Sequence, residues 1–327
     1  MTSAAHATSP AARPLRRSRT PRALRHTRAF TLIELMVVSL MMIILLGILF
    51  SVISNTTSVI SRATEQIDVT RVARESLDLI GRDISKAALP WSRTSTASLQ
   101  FLLNPTGAPA NTANPDSFFW QAPVARNDGR GNMAIIGYFV LRDLQTANPA
   151  NSRLQLRRVY IEAQTSTGTA NPEYTIYSNP SNWISPALFN NFAPATAADD
   201  NIAAQKGWVA DGVLGIWVRL LDRTGTPLTA VAFDSRKAST TFLDKTSTNQ
   251  LIYPTNYSVL PSFVEVSMVC VAPRQVVRIK SLPAAPASNP TNFDAPIASY
   301  MQQVKAANPG IDSINTFSRK FRILRGD

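Results

Sequence analysis

Histidine is nearly absent from this chain of 327 residues. There are two, His6 and His26, and both precede Phe30. Past that point no histidine remains to build a Ser-His-Asp triad, a Cys-His pair or a His-ligated zinc site. Cysteine is scarcer: the lone Cys270 excludes an intrachain disulfide. In "FVEVSMVC" the alternation puts Val264, Val266, Met268 and Cys270 on one strand face, so the thiol is read as a small buried hydrophobe. Acidic residues are missing from residues 1–29, which hold seven arginines. The net charge of +12 therefore belongs largely to that leader. The remainder carries 26 basic against 21 acidic residues, scattered, so nucleic acid is not expected as a partner. There is no Walker loop, GxGxxG, HExxH, CxxC pair or GxSxG, and no internal repeat. No enzymatic activity and no cofactor are expected.

Charge is also missing from Leu35 to Ile53, nineteen residues that are almost all apolar. That length suits a membrane-spanning helix. It exceeds the 7–15-residue core of a secretory signal, and no A-x-A site follows it. Arg16-Arg17 is followed by "SRT", without the apolar residues of a twin-arginine signal. Arginines on the N-terminal flank alone predict that this flank faces the cytoplasm. A plain anchor helix explains all of this except Glu34, because a carboxylate costs about 2.5–3.5 kcal/mol at the centre of a span and less near its edge.

The stretch "RAFTLIELMVV", Arg28–Val38, resembles the prepilin signal of type IV pilins and type II secretion pseudopilins. The resemblance covers about 30 residues of the chain. It implies that a prepilin peptidase cuts between Ala29 and Phe30 and methylates the new Phe30 amine. It also implies that Glu34 becomes the fifth residue of the mature chain, where that family carries its glutamate. The family usually has glycine where this chain has Ala29; alanine is small enough for cleavage, at a lower expected rate. The leader is longer than in many members. Once cut, Phe30 supplies an ammonium at the depth of Glu34, and a buried carboxylate is tolerable when it meets a cation. Glu34 is thus expected to pair with the Phe30 amine of a neighbouring subunit and set the helix register in assembly.

Beyond the apolar run, Ile60, Ala63, Ile67, Thr70, Ala73, Leu77, Ile80, Ile84 and Ala87 recur in steps of three and four, one stripe of an α-helix. Mixed charges lie between them, with Asp78–Arg82 expected as an i,i+4 pair. Pro90 ends the pattern. A helix from Phe30 to Leu89 would measure roughly 90 Å, with Gly47 and Gly81 as its weak points. The stripe is expected to lie across the protein's own sheet.

After Pro90 the pattern shifts to period two. Strands are expected at 98–103, 133–142, 154–162, 212–222, 229–233, 262–271 and 316–325, with helices at 182–192 and 295–307. Loops are expected at 104–132, 163–180 and 282–296, and "DRTGTP" (222–227) reads as a turn. The aromatics of "SFFW" (117–120) read as core. Arg157-Arg158 and Arg319-Lys320-Arg322 read as solvated strand faces, and Asp199-Asp200-Asn201 as a surface turn with no metal bound.

The expected fold is α+β and pilin-like: a long N-terminal helix packed on a mainly antiparallel sheet domain. Residues 1–29 form the removed leader. Residues 30–89 form the helix, which spans the membrane at about 35–53 and continues as an amphipathic stalk. Residues 90–327 form the extracytoplasmic domain. The size is similar to that of J-type pseudopilins and W-type minor pilins. "RVARESLDLIGRDISKA" (71–87) and "LPSFVEVSMVCVAPR" (260–274) resemble the post-signal helix and late strand of Verru_Chthon cassette C-type proteins. The implied role is a minor subunit of a pilus-like or type II secretion filament. Its partners would be the prepilin peptidase, the inner membrane and other pilin subunits, with the domain periplasmic or in an extracellular filament. The rival role is a membrane-anchored receptor or adhesin that never enters a filament.

Overall fold

The computed structural model describes residues 31–87, 101–105, 107–108, 115–123, 133–144, 152–163, 206–222, 224–228, 232–235, 261–311 and 313–323, with isolated residues between 169 and 192. The chain divides into two units, Met1–Ser58 and Val59–Asp327. The described part of the first unit is helical apart from Thr31. It belongs to helix α1, Leu32–Ile84, and all its side chains are exposed.

In the second unit, α1 changes character. Val69, Ala73, Leu77, Ile80 and Ile84 are buried, while Arg71, Arg74, Glu75, Asp78 and Arg82 stay exposed. The buried stripe starts later than the spacing predicts. Ile60, Ala63 and Ile67 are exposed, and Val69 is the first residue to enter the core. The helix ends at Ile84, five residues before the expected Leu89. Ser85 still bonds back to Gly81, but Lys86 and Ala87 donate to carbonyls three residues earlier, which tightens the final turn. Gly47 and Gly81 do not break the helix. At Gly81 a Cβ would lie 2.5 Å from the Phe321 ring, so glycine admits that ring against the helix.

Two antiparallel sheets follow. The first contains β1 (Phe101–Leu103), β2 (Phe118–Pro123), β3 (Met133–Asp143), β4 (Arg153–Glu162), β5 (Trp208–Asp211) and β7 (Phe233–Asp234), in the order β5-β4-β3-β2-β1-β7. The second contains β6 (Val213–Leu221), β8 (Phe263–Val271) and β9 (Ile314–Arg322), in the order β6-β8-β9. Gly212 turns the chain from β5 into β6. Its φ is +76°, and a Cβ there would sit 2.2 Å from the Val271 carbonyl, so only glycine fits. The 222–227 turn is present: Gly225 donates to the Asp222 carbonyl, and Leu221 bridges Pro227.

Both sheets give one face to α1. Phe101, Trp120, Ile136, Tyr138 and Leu156 from the first sheet share a core with Val264, Val266, Met268, Cys270 and Phe321 from the second. The other face of the first sheet packs Phe119, Phe139 and Ile161 on Phe192 and on Phe189 of the short helix α2 (Pro186–Phe189). The other face of the second sheet packs Leu214, Trp217 and Val269 beneath helix α3 (Asp294–Ala307), through Ile297, Tyr300 and Val304. Strands covered on both faces read as continuous apolar runs. This is why β2 falls inside a stretch expected to be loop: every residue from Phe118 to Ala122 is buried, and no alternation marks it.

Candidate functional site

The first candidate lies at the start of α1. Thr31 and Glu34 form a reciprocal capping box. The Thr31 backbone N–H and hydroxyl each donate to Glu34 Oε2 at 3.1 Å, and the Glu34 N–H donates to Thr31 Oγ1 at 3.3 Å. These bonds satisfy amides that the helix cannot pair internally, and they set a carboxylate against the positive end of the helix dipole. The signal was present in the sequence as T-x-x-E, Thr31 to Glu34. Glu34 therefore has an intrachain role that an assembly-only reading misses. Ala29 and Phe30 lie outside the described residues. Among the described residues one helix, Leu32–Ile84, is long and apolar enough to cross a membrane, and none of its most apolar stretch is buried. Within the run, the Ser39 hydroxyl is satisfied by the Met36 carbonyl at 2.9 Å, so it leaves no unmet donor in an apolar medium.

The second candidate is the polar junction that fastens the helix to the first sheet. Asp83 is 2% exposed. Its carboxylate accepts from Tyr138 Oη at 2.6 Å, Arg158 Nε at 2.7 Å and an Arg158 terminal nitrogen at 3.2 Å. Its backbone carbonyl accepts from Trp120 Nε1 at 3.2 Å. Burial and the adjacent Asp83 carboxylate push the Tyr138 phenol up, so it remains a donor. Arg158 also lies 4.5 Å above the Tyr160 ring. Arg158 is thus no solvated face. Arg157 is 2% exposed, bonded to Gln155 and the Lys206 carbonyl, and burial brings its pKa down to about 10. The expected Asp78–Arg82 pair is replaced as well. Asp78 binds Arg319 of β9, Arg82 Nε donates to the Asp78 backbone carbonyl at 3.3 Å, and Arg71–Glu75 forms an i,i+4 pair at 2.8 Å.

A second buried acid joins the two sheets. Asp116 accepts from Asn104 Nδ2 at 2.6 Å, the Val218 N–H of β6 at 2.7 Å and the Ser288 hydroxyl. Burial, offset in part by these donors, raises its carboxyl to about 6. Among the described residues no three His, Cys, Asp or Glu side chains gather as a metal site. Asp199, Asp200 and Asn201 lie outside the described residues. Cys270 is buried and its thiol is pushed up to about 12 by burial, so it stays protonated and inert at neutral pH. The aromatics Phe118, Phe119 and Trp120 are fully buried core. A shallow groove of about 440 Å³ opens beside Arg158, Tyr160, Lys206 and Trp208. Both cations there are engaged, Arg158 by Asp83 and Lys206 over the Phe192 ring.

No protein-family model matches the chain, and no curated protein matches it in sequence. Among solved structures, the chain is similar to a type IV-like pilin from Thermus thermophilus, with 10% identity over 78% of this chain and 95% of that one and a TM-score of 0.32. A likeness of that degree carries no weight for function.

Proposed function

We propose that the protein is a minor pilin or pseudopilin, a structural subunit of a type IV pilus-like or type II secretion filament. The observation that carries this reading is "RAFTLIELMVV" opening a capped helix. Its first part is uniformly apolar and exposed, and its later part is docked on antiparallel sheets. In this reading prepilin peptidase removes residues 1–29 and methylates Phe30. The helix then waits in the inner membrane with the sheet domain outside the cytoplasm, and assembly transfers it into a filament where apolar helix faces pack together.

Glu34 has two tasks in this scheme. One oxygen caps its own helix, and the charge attracts the Phe30 ammonium of an adjacent subunit. Two substitutions separate them. Glu34→Gln retains a side chain able to cap but removes the charge, whereas Glu34→Leu removes both. If the charge sets register, both variants lose co-purification with other filament subunits; recovery by Glu34→Gln would reduce Glu34 to a cap. Mass spectrometry of the cellular protein tests the reading as a whole. The mature chain should begin at a methylated Phe30, and an intact chain starting at Met1 with the peptidase present refutes it.

A further inference from the structure

The sheets close their edges unequally. In the first sheet the edge strands β5 and β7 are only four and two residues long. In the second, the outer edge of β6 is occupied. The Asp116 N–H donates to the Ile216 carbonyl, the Val218 N–H to the Asp116 carboxylate, and the Leu228 N–H to the Leu220 carbonyl. β9 forms the opposite edge and is nine residues long. It pairs with β8 in unbroken antiparallel register from Phe263↔Arg322 to Val271↔Ile314. One step beyond, the Ile323 N–H donates to the Ser262 carbonyl, so the odd-numbered residues of β9 bond to β8. The N–H and C=O groups of Thr316, Ser318, Lys320 and Arg322 therefore point away from β8. All four residues are exposed, and among the described residues no strand pairs with that side of β9.

A long open edge is a template for a further strand. The side chains of β9 set the charge of the strand that fits. Arg319, Lys320 and Arg322 are exposed, and β9 contains no acidic residue. Arg319 is held by Asp78. Lys320 lies 4.3 Å over the Phe263 ring, and Glu265, opposite it on β8, is bound by Arg219. Arg322 has no acidic partner among the described residues. Two positions apart on the strand, Lys320 and Arg322 share one face of the sheet. Pairing β9 with the β9 of a second copy would set these cations against each other, and like charges across strands are destabilising. A strand with acidic side chains meets them with opposite charge.

We infer that the β9 edge takes an extended acidic segment of another protein as a fourth strand of the second sheet. The backbone of that segment exchanges hydrogen bonds with Thr316, Ser318, Lys320 and Arg322, and its acidic side chains, at alternate positions, lie beside Lys320 and Arg322. The backbone bonds supply affinity, and the cations select an acidic partner over a second copy. All of these residues belong to the sheet domain, so strand addition there is independent of whether α1 enters a membrane or a filament.

The test uses the full-length chain in detergent and a fluorescent peptide of alternating glutamate and valine, long enough to span β9. Fluorescence anisotropy reads binding, and amide hydrogen exchange reads where it occurs. Binding should slow exchange at Thr316, Ser318, Lys320 and Arg322 and leave Phe317, Arg319 and Phe321, already bonded to β8, unchanged. The Lys320→Gln, Arg322→Gln pair, at exposed positions, should weaken binding about tenfold, and salt should weaken it in the wild type. The same peptide methylated on its backbone nitrogens should not bind, because it cannot donate to the edge. Equal binding of the methylated peptide overturns strand addition and leaves charge attraction alone. Equal binding of a lysine–valine peptide overturns the acidic partner. Protection of the same four amides that rises with protein concentration, without peptide, assigns the edge to a second copy and overturns the inference. So does the absence of protection at millimolar glutamate–valine peptide.

Discussion

Two stretches of one helix, Leu35–Ile53 and Val69–Ile84, meet different surroundings. The first is apolar on every side and wholly exposed. The second is apolar on one face, and that face is buried while its charges stay outside. A helix hydrophobic all round suits a lipid or protein environment on every side, whereas a striped helix suits one partner and water. The difference shows that α1 is matched to two solvents, and that its second half depends on side chains distant in sequence.

The sharpest way to break this comparison is to place the same charge in each half. Ile80→Arg puts an unpaired cation at a fully buried site and should abolish cooperative unfolding of the sheet domain, read by tryptophan fluorescence of the detergent-solubilised chain. Leu45→Arg should leave that transition unchanged and instead reduce membrane insertion, by about 3 kcal/mol. If Leu45→Arg destabilises the sheet domain as much as Ile80→Arg, the two halves are not separate.

Next in size is Asp83→Ala, which strands Arg158 and removes the acceptor of Tyr138. A loss of about 3–5 kcal/mol in urea unfolding is expected, the range for breaking one side of a buried pair.

A third effect concerns pH and belongs to the sheet domain. Asp116 has a folded pKa raised to about 6 from 3.8. Between those values the folded state holds a proton that the unfolded state has released, so the Asp116 contribution to stability is fully present below about 4 and is lost as pH rises through about 6. The whole swing is about 3 kcal/mol at most. Asp116→Asn should flatten this slope, and an unchanged slope would move the cause elsewhere. The smallest effect is predicted for Arg71→Ala. Its pair with Glu75 leaves the side chains 75% and 65% exposed, so no measurable shift of the unfolding midpoint is expected.

Much of the fold was legible from the chain. The long helix and the cores of β3, β4, β6 and β8 follow from helical periodicity or apolar, β-rich runs, and α3 falls at 294–307 where a helix was expected at 295–307. The failures have particular causes. β2 lacked alternation because both its faces are covered. β5 is four residues long, too short for a periodic signal. Ile60 and Ile67 continue the stripe in sequence, but the shared core begins at Val69. The T-x-x-E cap at Thr31–Glu34 is local, since both partners lie within one turn. Arg158 read as a surface cation because its carboxylate lies 75 residues away.

Local order in the chain set the uniform apolar run, the cap at its start, the striped helix after it and the alternating strands, since each depends on neighbours within a few residues. Only the tertiary structure decided where the stripe begins to be buried and which charges are buried rather than solvated. It also brought Asp83 to Arg158, and Asp116 to Val218 and Ser288. Those outcomes depend on desolvation and contact between segments tens to hundreds of residues apart, and no local pattern encodes which partner the folded chain brings within bonding distance.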